Sequence, residues 1–142
     1  MRFVGVDVGG KRIGLAVGEE ETGVAVPLRI VSARDDPDAD ARAVLEAVRN
    51  HDPDAFVVGL PLNMDGSEGG QANLARSFGA VLARLSGKEV FYFDERLSSQ
   101  AADELLQPAG FTRARHRARQ DAVAAQVILQ GFLDARREAS PH

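Results

Sequence analysis

The chain has no cysteine and no tryptophan. Without thiols it can build neither a disulfide framework nor a thiolate zinc site, a composition that suits a reducing compartment. Its three histidines, His51, His116 and His142, show no metal-ligand spacing among themselves, so a zinc site is not expected. Aromatics are scarce, with seven Phe and one Tyr. No apolar run approaches the roughly 20 residues that a membrane-spanning helix needs. The run after Arg2 is broken by Asp7 and by glycines, so it does not read as a signal peptide. The expected location is cytoplasmic, with no membrane partner.

What the sequence does contain is an ordinary globular composition over 142 residues, 44% hydrophobic and 27% charged, enough to bury a core without covalent staples. The net charge of −4 is unevenly spread. Residues 1–112 hold 11 basic and 18 acidic side chains, whereas residues 113–142 hold six basic and three acidic. Four arginines and a histidine crowd into RARHRAR, Arg113 to Arg119. A local basic patch on an acidic body suits contact with phosphates. It reads equally well as a solvated loop and helix start.

Hydrophobic periodicity divides the chain into strands and then strand–helix units. Met1–Val8 alternates, with Val4, Val6 and Val8 on one face and Phe3, Gly5 and Asp7 on the other. Gly9-Gly10-Lys11 is long enough only for a hairpin turn, so Arg12–Gly18 should run antiparallel to the first strand. A third strand is expected at about Ala25–Val31. Pro37–Asp40 opens a helix continued by Val44, Leu45 and Val48, and His51-Asp52-Pro53 ends it. AFVVGL, Ala55 to Leu60, reads as a strand covered on both faces. Leu74, Phe78, Val81, Leu82 and Leu85 mark a second amphipathic helix that Gly87 stops. EVFYFDE follows as a strand, Glu89 to Glu95. A short helix after Ser98 or Ser99, a loop from Gln107 to about Arg117 and a final helix over roughly Gln120–Arg137 complete the order. The expected fold is a single α/β domain over residues 1–137 with a short tail at 138–142. Its five-stranded mixed sheet, three antiparallel strands and then two parallel ones, carries helices on both faces.

Asp7 stands out in this pattern, because a lone carboxylate on a core strand is costly unless something binds it. Its neighbours on the same face, Gly5 and Gly9, would leave room for a substrate backbone or an ion. The plain alternative is an ion pair with Lys11 or Arg12. Asp94 and Glu95 close another strand and, being adjacent, face opposite ways, so at most one should share a site with Asp7. Asp121 heads the stripe Asp121, Ala125, Ile128, Phe132 and is expected to face the sheet, although an acid there would also suit the positive end of the helix dipole. Three carboxylates at one sheet edge make an oxygen-only cluster fit for Mg²⁺ or Mn²⁺. Two such ions roughly 4 Å apart can activate water and stabilise a leaving oxygen in phosphodiester hydrolysis. The loop PLNMDGSEGG, Pro61 to Gly70, could offer backbone N–H groups to phosphate or serve as an ordinary connection.

In order and spacing, DVGGKRIGLAVG, VGLPLNMDG, DERLSS and the late D-A-V-A-A-x-x-I-L resemble the signature blocks of the YqgF/RuvX family, from about Phe3 to Phe132. The resemblance implies an RNase H-like fold related to the RuvC resolvases. It implies a metal-dependent nuclease in 5′-end maturation of pre-16S ribosomal RNA, with Holliday junction resolution proposed for some members. By resemblance Asp7, Glu95 and Asp121 are the catalytic, metal-holding acids, with Asp94 as the alternative to Glu95. Lys11, Asn63, Asp65, Arg96 and the arginines Arg113, Arg115, Arg117 and Arg119 would contact substrate or, for Asn63 and Asp65, shape their loop. The implied cofactor is Mg²⁺ or Mn²⁺, as two ions. Two positions depart from the pattern. RuvC-type enzymes carry a further acid three residues after the last one, where this chain has Ala124. The family's usual lysine before the last acid is replaced by arginines, Arg117 being the nearest match.

The leading expectation is therefore a nuclease acting on precursor ribosomal RNA. A resolvase of four-way DNA would use the same residues but requires a two-fold homodimer. A nucleic-acid-binding factor without catalysis is the reading that Ala124 favours. A phosphate loop of the actin and sugar-kinase type shares D-x-G-x-K, but it needs two such domains to enclose ATP.

Overall fold

The computed structural model describes residues 1–97 and 113–139, with side chains over 1–96 and 123–139. Strands β1 (Arg2–Val8), β2 (Arg12–Glu19) and β3 (Val24–Ser32) form the expected antiparallel meander. Strands β4 (Ala55–Leu60) and β5 (Glu89–Asp94) then add in parallel beside β1. The sheet order β3-β2-β1-β4-β5 puts β1, with Asp7, at its centre.

The period-two pattern of β1 is realised as two cores. Val4 and Val6 join Ile13, Leu15, Phe56, Val58, Phe78 and Leu82 beneath helices α1 (Pro37–Val48) and α2 (Gly70–Ser86). Phe3 joins Ala16, Val57, Ala125, Ile128 and Leu129 beneath α3 (Arg113–Ala139) on the opposite face. Every residue of β4 is buried, as its unbroken apolar run requires of a strand covered on both sides. Local chemistry sets the helix ends. The Asp36 carboxylate accepts from the Asp38 N–H at the start of α1, with Pro37 in the first turn, where its missing N–H costs nothing. Gly87 closes α2 in the left-handed conformation.

Two boundaries differ from the sequence reading: the strand expected to run to Glu95 ends at Asp94, Glu95 opening a 3₁₀ turn, and the start of the last helix moves further. The last helix begins at Arg113 rather than near Gln120. Apolar periodicity starts only at the later point, but Arg and Ala are strong helix formers and no Gly or Pro interrupts Arg113–Gln130. The basic run RARHRAR is therefore helical. The expected short helix after Ser98 lies outside the described residues.

Helix α3 covers the start of the edge strand β3. Gln130 accepts from the Ala25 N–H at 2.9 Å through Oε1 and donates to the Gly23 carbonyl at 2.7 Å through Nε2. One turn earlier, Gln126 donates to the Ala25 carbonyl at 3.1 Å. Two side-chain amides thus occupy backbone groups that would otherwise template another strand, and Pro27 removes a further donor.

Candidate active site

Asp7 is the penultimate residue of β1 and is half-buried. Glu95 opens the single 3₁₀ turn, Glu95–Leu97, that follows β5. Because β1, β4 and β5 are parallel, their carboxyl ends share one edge of the sheet, but β4 lies between the other two. Gly59 in β4 makes the crossing possible. A Cβ there would stand 2.5 Å from Glu95 Oε1, 3.0 Å from Glu95 Cγ and 2.6 Å from Ile128 Cδ1. Over this gap the Glu95 carboxyl reaches Asp7 and hydrogen-bonds to it. Burial first, then the negative charge of Asp7, the hydrogen bond to it and the charge of Asp94 push the Glu95 pKa up to about 8. At neutral pH the pair therefore holds one proton between two carboxyl groups, the usual outcome when like charges are forced together in a poorly solvated place.

Asp94 takes the opposite course, as the alternation of adjacent residues requires. Its carboxylate is gripped by Arg96, with Nη2 at 2.8 Å and Nε at 3.0 Å from Oδ2 and the Arg96 backbone N–H at 3.0 Å from Oδ1. The guanidinium holds the Asp94 pKa below the ordinary carboxylate value. Arg96 Nη1 also donates to the carbonyls of Met64 at 3.3 Å and Asn63 at 3.4 Å. The structure thus uses Arg96 as a tie between the end of β5 and the loop after β4.

That loop is an ordered reverse turn. The Gly66 N–H donates to the Asn63 carbonyl at 2.8 Å, and the Asn63 N–H donates to the Ser67 carbonyl at 2.9 Å. The Asn63 amide donates to Ser67 Oγ at 3.0 Å, while Asp65 Oδ1 accepts from the Ser67 hydroxyl at 2.6 Å and its N–H at 2.9 Å. Gly66 sits at φ 87°, a conformation that glycine adopts without a Cβ penalty. At the far side Glu68 receives a two-pronged contact from Arg76 at 2.6 and 2.8 Å. Asn63 and Asp65 therefore spend their side chains on the turn itself.

The flanking glycines have a different role from the one expected. A Cβ on Gly5 would lie 2.8 Å from Leu129 Cβ and 3.1 Å from the Ala125 carbonyl, so the missing side chain admits helix α3, not a phosphate. Gly9 lies against the Arg12 carbonyl, where a Cβ would come within 2.6 Å, and serves the hairpin turn. Lys11 is exposed in that turn. Helix α3 runs antiparallel to β1, since Phe132 meets Phe3 while Ala125 meets Gly5. Position 121, one turn before Ala125, thus lies toward the carboxyl end of β1. The side chains of Asp121, Arg113, Arg115, Arg117 and Arg119 lie outside the described residues. Ala124 is half-buried.

Among the described residues no three His, Cys, Asp or Glu side chains converge. Asp7 and Glu95 form a pair of hard oxygen donors whose mutual repulsion a divalent cation would relieve, which fits Mg²⁺ or Mn²⁺. The sequence reading missed Gly59, and it took Arg96 for a substrate contact without its tie between β5 and the loop after β4. Gly59 had a usable signal, a glycine inside an otherwise continuous buried strand. The Arg96 tie had none, because it joins segments about thirty residues apart.

Comparison with known proteins follows from this geometry. A family model described as "RuvX: Holliday junction resolvase" matches residues 1–135. A protein of Anaeromyxobacter sp. (strain Fw109-5), named "Putative pre-16S rRNA nuclease", is 47% identical over 136 residues, covering 96% of this chain and 98% of its own. A Myxococcus xanthus protein of the same name is 45% identical over 137 residues, covering 96% and 90%. Among solved structures, T. thermophilus RuvC in complex with a Holliday junction substrate superposes with a TM-score of 0.62 at 20% identity, over 99% of this chain and 98% of that one. At that identity the likeness establishes the RNase H-like fold.

Proposed function

The chain belongs to the RuvX family, and from that premise we propose that it is a metal-dependent nuclease that hydrolyses phosphodiester bonds of precursor 16S ribosomal RNA. The observation that carries the chemistry is the proton-sharing pair Asp7 and Glu95 at the carboxyl edge of the sheet. The names of the relatives carry the substrate.

Asp7 and Glu95 would hold Mg²⁺ or Mn²⁺, with Asp121 as the third acid brought by α3. When bound, the ions supply an activated water and charge stabilisation at the leaving oxygen. The chain's own part is placement. Gly59 gives Glu95 its path across β4, and Gly5 lets α3 approach the central strand. The Arg96–Asp94 pair keeps the first carboxylate of DERLSS away from the site. Lys11 and the helical run Arg113–Arg119 would steady the nucleic-acid backbone, a role suited to their charge. The family description favours a second reading, resolution of four-way DNA junctions, which would require the chain to act as a homodimer. A cytoplasmic site of action accords with a ribosomal RNA substrate.

The deciding experiment is a parallel cleavage assay on precursor 16S RNA and on a four-way DNA junction, with Mg²⁺ and with Mn²⁺. RNA cleavage that disappears in Asp7→Asn, with the variant shown to be folded by its circular dichroism spectrum and cooperative melting, is the expected result. Cleavage retained in that variant would remove Asp7 from the site. Cutting confined to the junction would replace the RNA reading by the resolvase reading.

A further inference from the structure

Met64 is 98% exposed, more than any other large apolar residue among those described. A single exposed apolar side chain on a mobile surface would call for no explanation. Met64 is differently placed. It occupies the tip of the turn closed by the Gly66–Asn63 and Asn63–Ser67 backbone bonds. Asn63 and Asp65, its polar neighbours, are turned onto Ser67. Its own carbonyl is held by Arg96, the residue that follows Glu95 in the chain. The other side of the turn is fastened to α2 through Glu68 and Arg76. The backbone is thus fixed on both sides at the active edge, and the side chain it presents to solvent is an unbranched thioether.

Resting on the nuclease reading, we propose that Met64 is a positioning residue. It packs as an apolar wedge against a base next to the scissile phosphate and unstacks it from its neighbour. One observation and two general chemical arguments favour a base as the occupant. The turn follows β4, whose carboxyl end lies between those of β1 and β5, and Arg96, the neighbour of Glu95, holds it at that edge of the sheet. A nucleotide offers a negative phosphate and an apolar base face close together, which would suit a carboxylate pair able to take a cation, with a thioether on the same edge of the sheet. Apolar side chains of this kind separate base steps elsewhere in protein–nucleic acid recognition, and a pre-ordered turn loses little freedom when it does so.

The test uses precursor 16S RNA and a four-way DNA junction carrying 2-aminopurine at successive positions. Each is bound by the full chain in the Asp7→Asn background so that nothing is cut. Met64 should raise the fluorescence at one or two positions. Met64→Ser should abolish that rise and Met64→Leu should keep it. With Asp7 intact, Met64→Ser should lower kcat/KM on the order of tenfold, the scale of one lost apolar contact. Because the side chain is exposed, the melting temperature should stay unchanged. Equal fluorescence and equal cleavage in Met64→Ser would overturn the wedge and leave the nuclease intact. A Met64-dependent rise without any cleavage by the native chain would uphold the wedge and overturn the nuclease. Absence of binding to either substrate would overturn both.

Discussion

Glu95 carries the clearest conflict between stability and function. Its folded-state pKa stands at about 8 against an ordinary 4.5. Between those values the folded chain holds a proton that the unfolded chain has released. Stability therefore falls as pH rises through that window and is unaffected by this group below it. The slope reaches at most about 1.4 kcal/mol per pH unit, less where solvent reaches the pair. Glu95→Gln keeps a donor to Asp7 and removes the titration. In the presence of chelator the variant should unfold at higher urea than the native chain at pH 8, with the gap closing near pH 4.5. It should also be inactive. Urea midpoints measured at pH 5 and pH 8 test this, and identical slopes in the two proteins would rule out the shared proton. Strand alternation let at most one of Asp94 and Glu95 share a site with Asp7, and the family resemblance favoured Glu95. The folded chain supplies the physical reason, the 3₁₀ turn after β5 and the capture of Asp94 by Arg96.

At the scale of elements, the site is held by two glycine-mediated approaches. Gly59 passes Glu95 over β4, and Gly5 receives α3 on β1. The second approach is the stiffer one, since its obstacles are a Cβ and a backbone carbonyl, neither able to swing aside. Gly5→Ala should push α3 outward and cost about 1–3 kcal/mol, the usual range for overpacking. The gain of about 0.4–1 kcal/mol from a less flexible unfolded chain offsets only part of that. Because α3 also carries position 121, cleavage should fall more steeply than stability. Chemical denaturation and single-turnover cleavage on one preparation would show the split. A variant that loses stability alone would place the third acid elsewhere. Strand and helix identity was legible from periodicity, as β4 and α2 illustrate. The start of α3 was not, because the arginine-rich turns that precede Gln120 have no apolar stripe to announce them.

For the whole molecule, the proton shared by Asp7 and Glu95 is in competition with a cation. Metal binding must release it, so Mn²⁺ or Mg²⁺ should raise the melting temperature, and the rise should grow as pH increases toward 8. At a hundredfold excess over the dissociation constant the stabilisation is about 2.7 kcal/mol. Differential scanning fluorimetry with and without chelator, at pH 6 and pH 8.5, should show that trend in the native chain and lose it in Asp7→Asn. A pH-independent shift would mean that the ions bind away from the pair. The same molecule-wide view explains the glutamines of α3. They occupy backbone groups of Gly23 and Ala25 at the start of β3, which hinders strand addition there.

By itself the sequence determined the order of the described strands and helices, the two faces of β1 and the acids worth watching. These follow from spacing along the chain, which alternating and helical periods record directly. Tertiary structure decided what spacing does not encode. It showed that Gly5 makes room for a helix, that Gly59 lets one carboxyl group cross a strand to share a proton with another, and that Asn63 and Asp65 turn inward while Met64 projects. The two glycine approaches are contacts between segments distant in sequence, whereas Asn63 and Asp65 bond within their own turn. Their energies depend on which groups exclude one another from the same space.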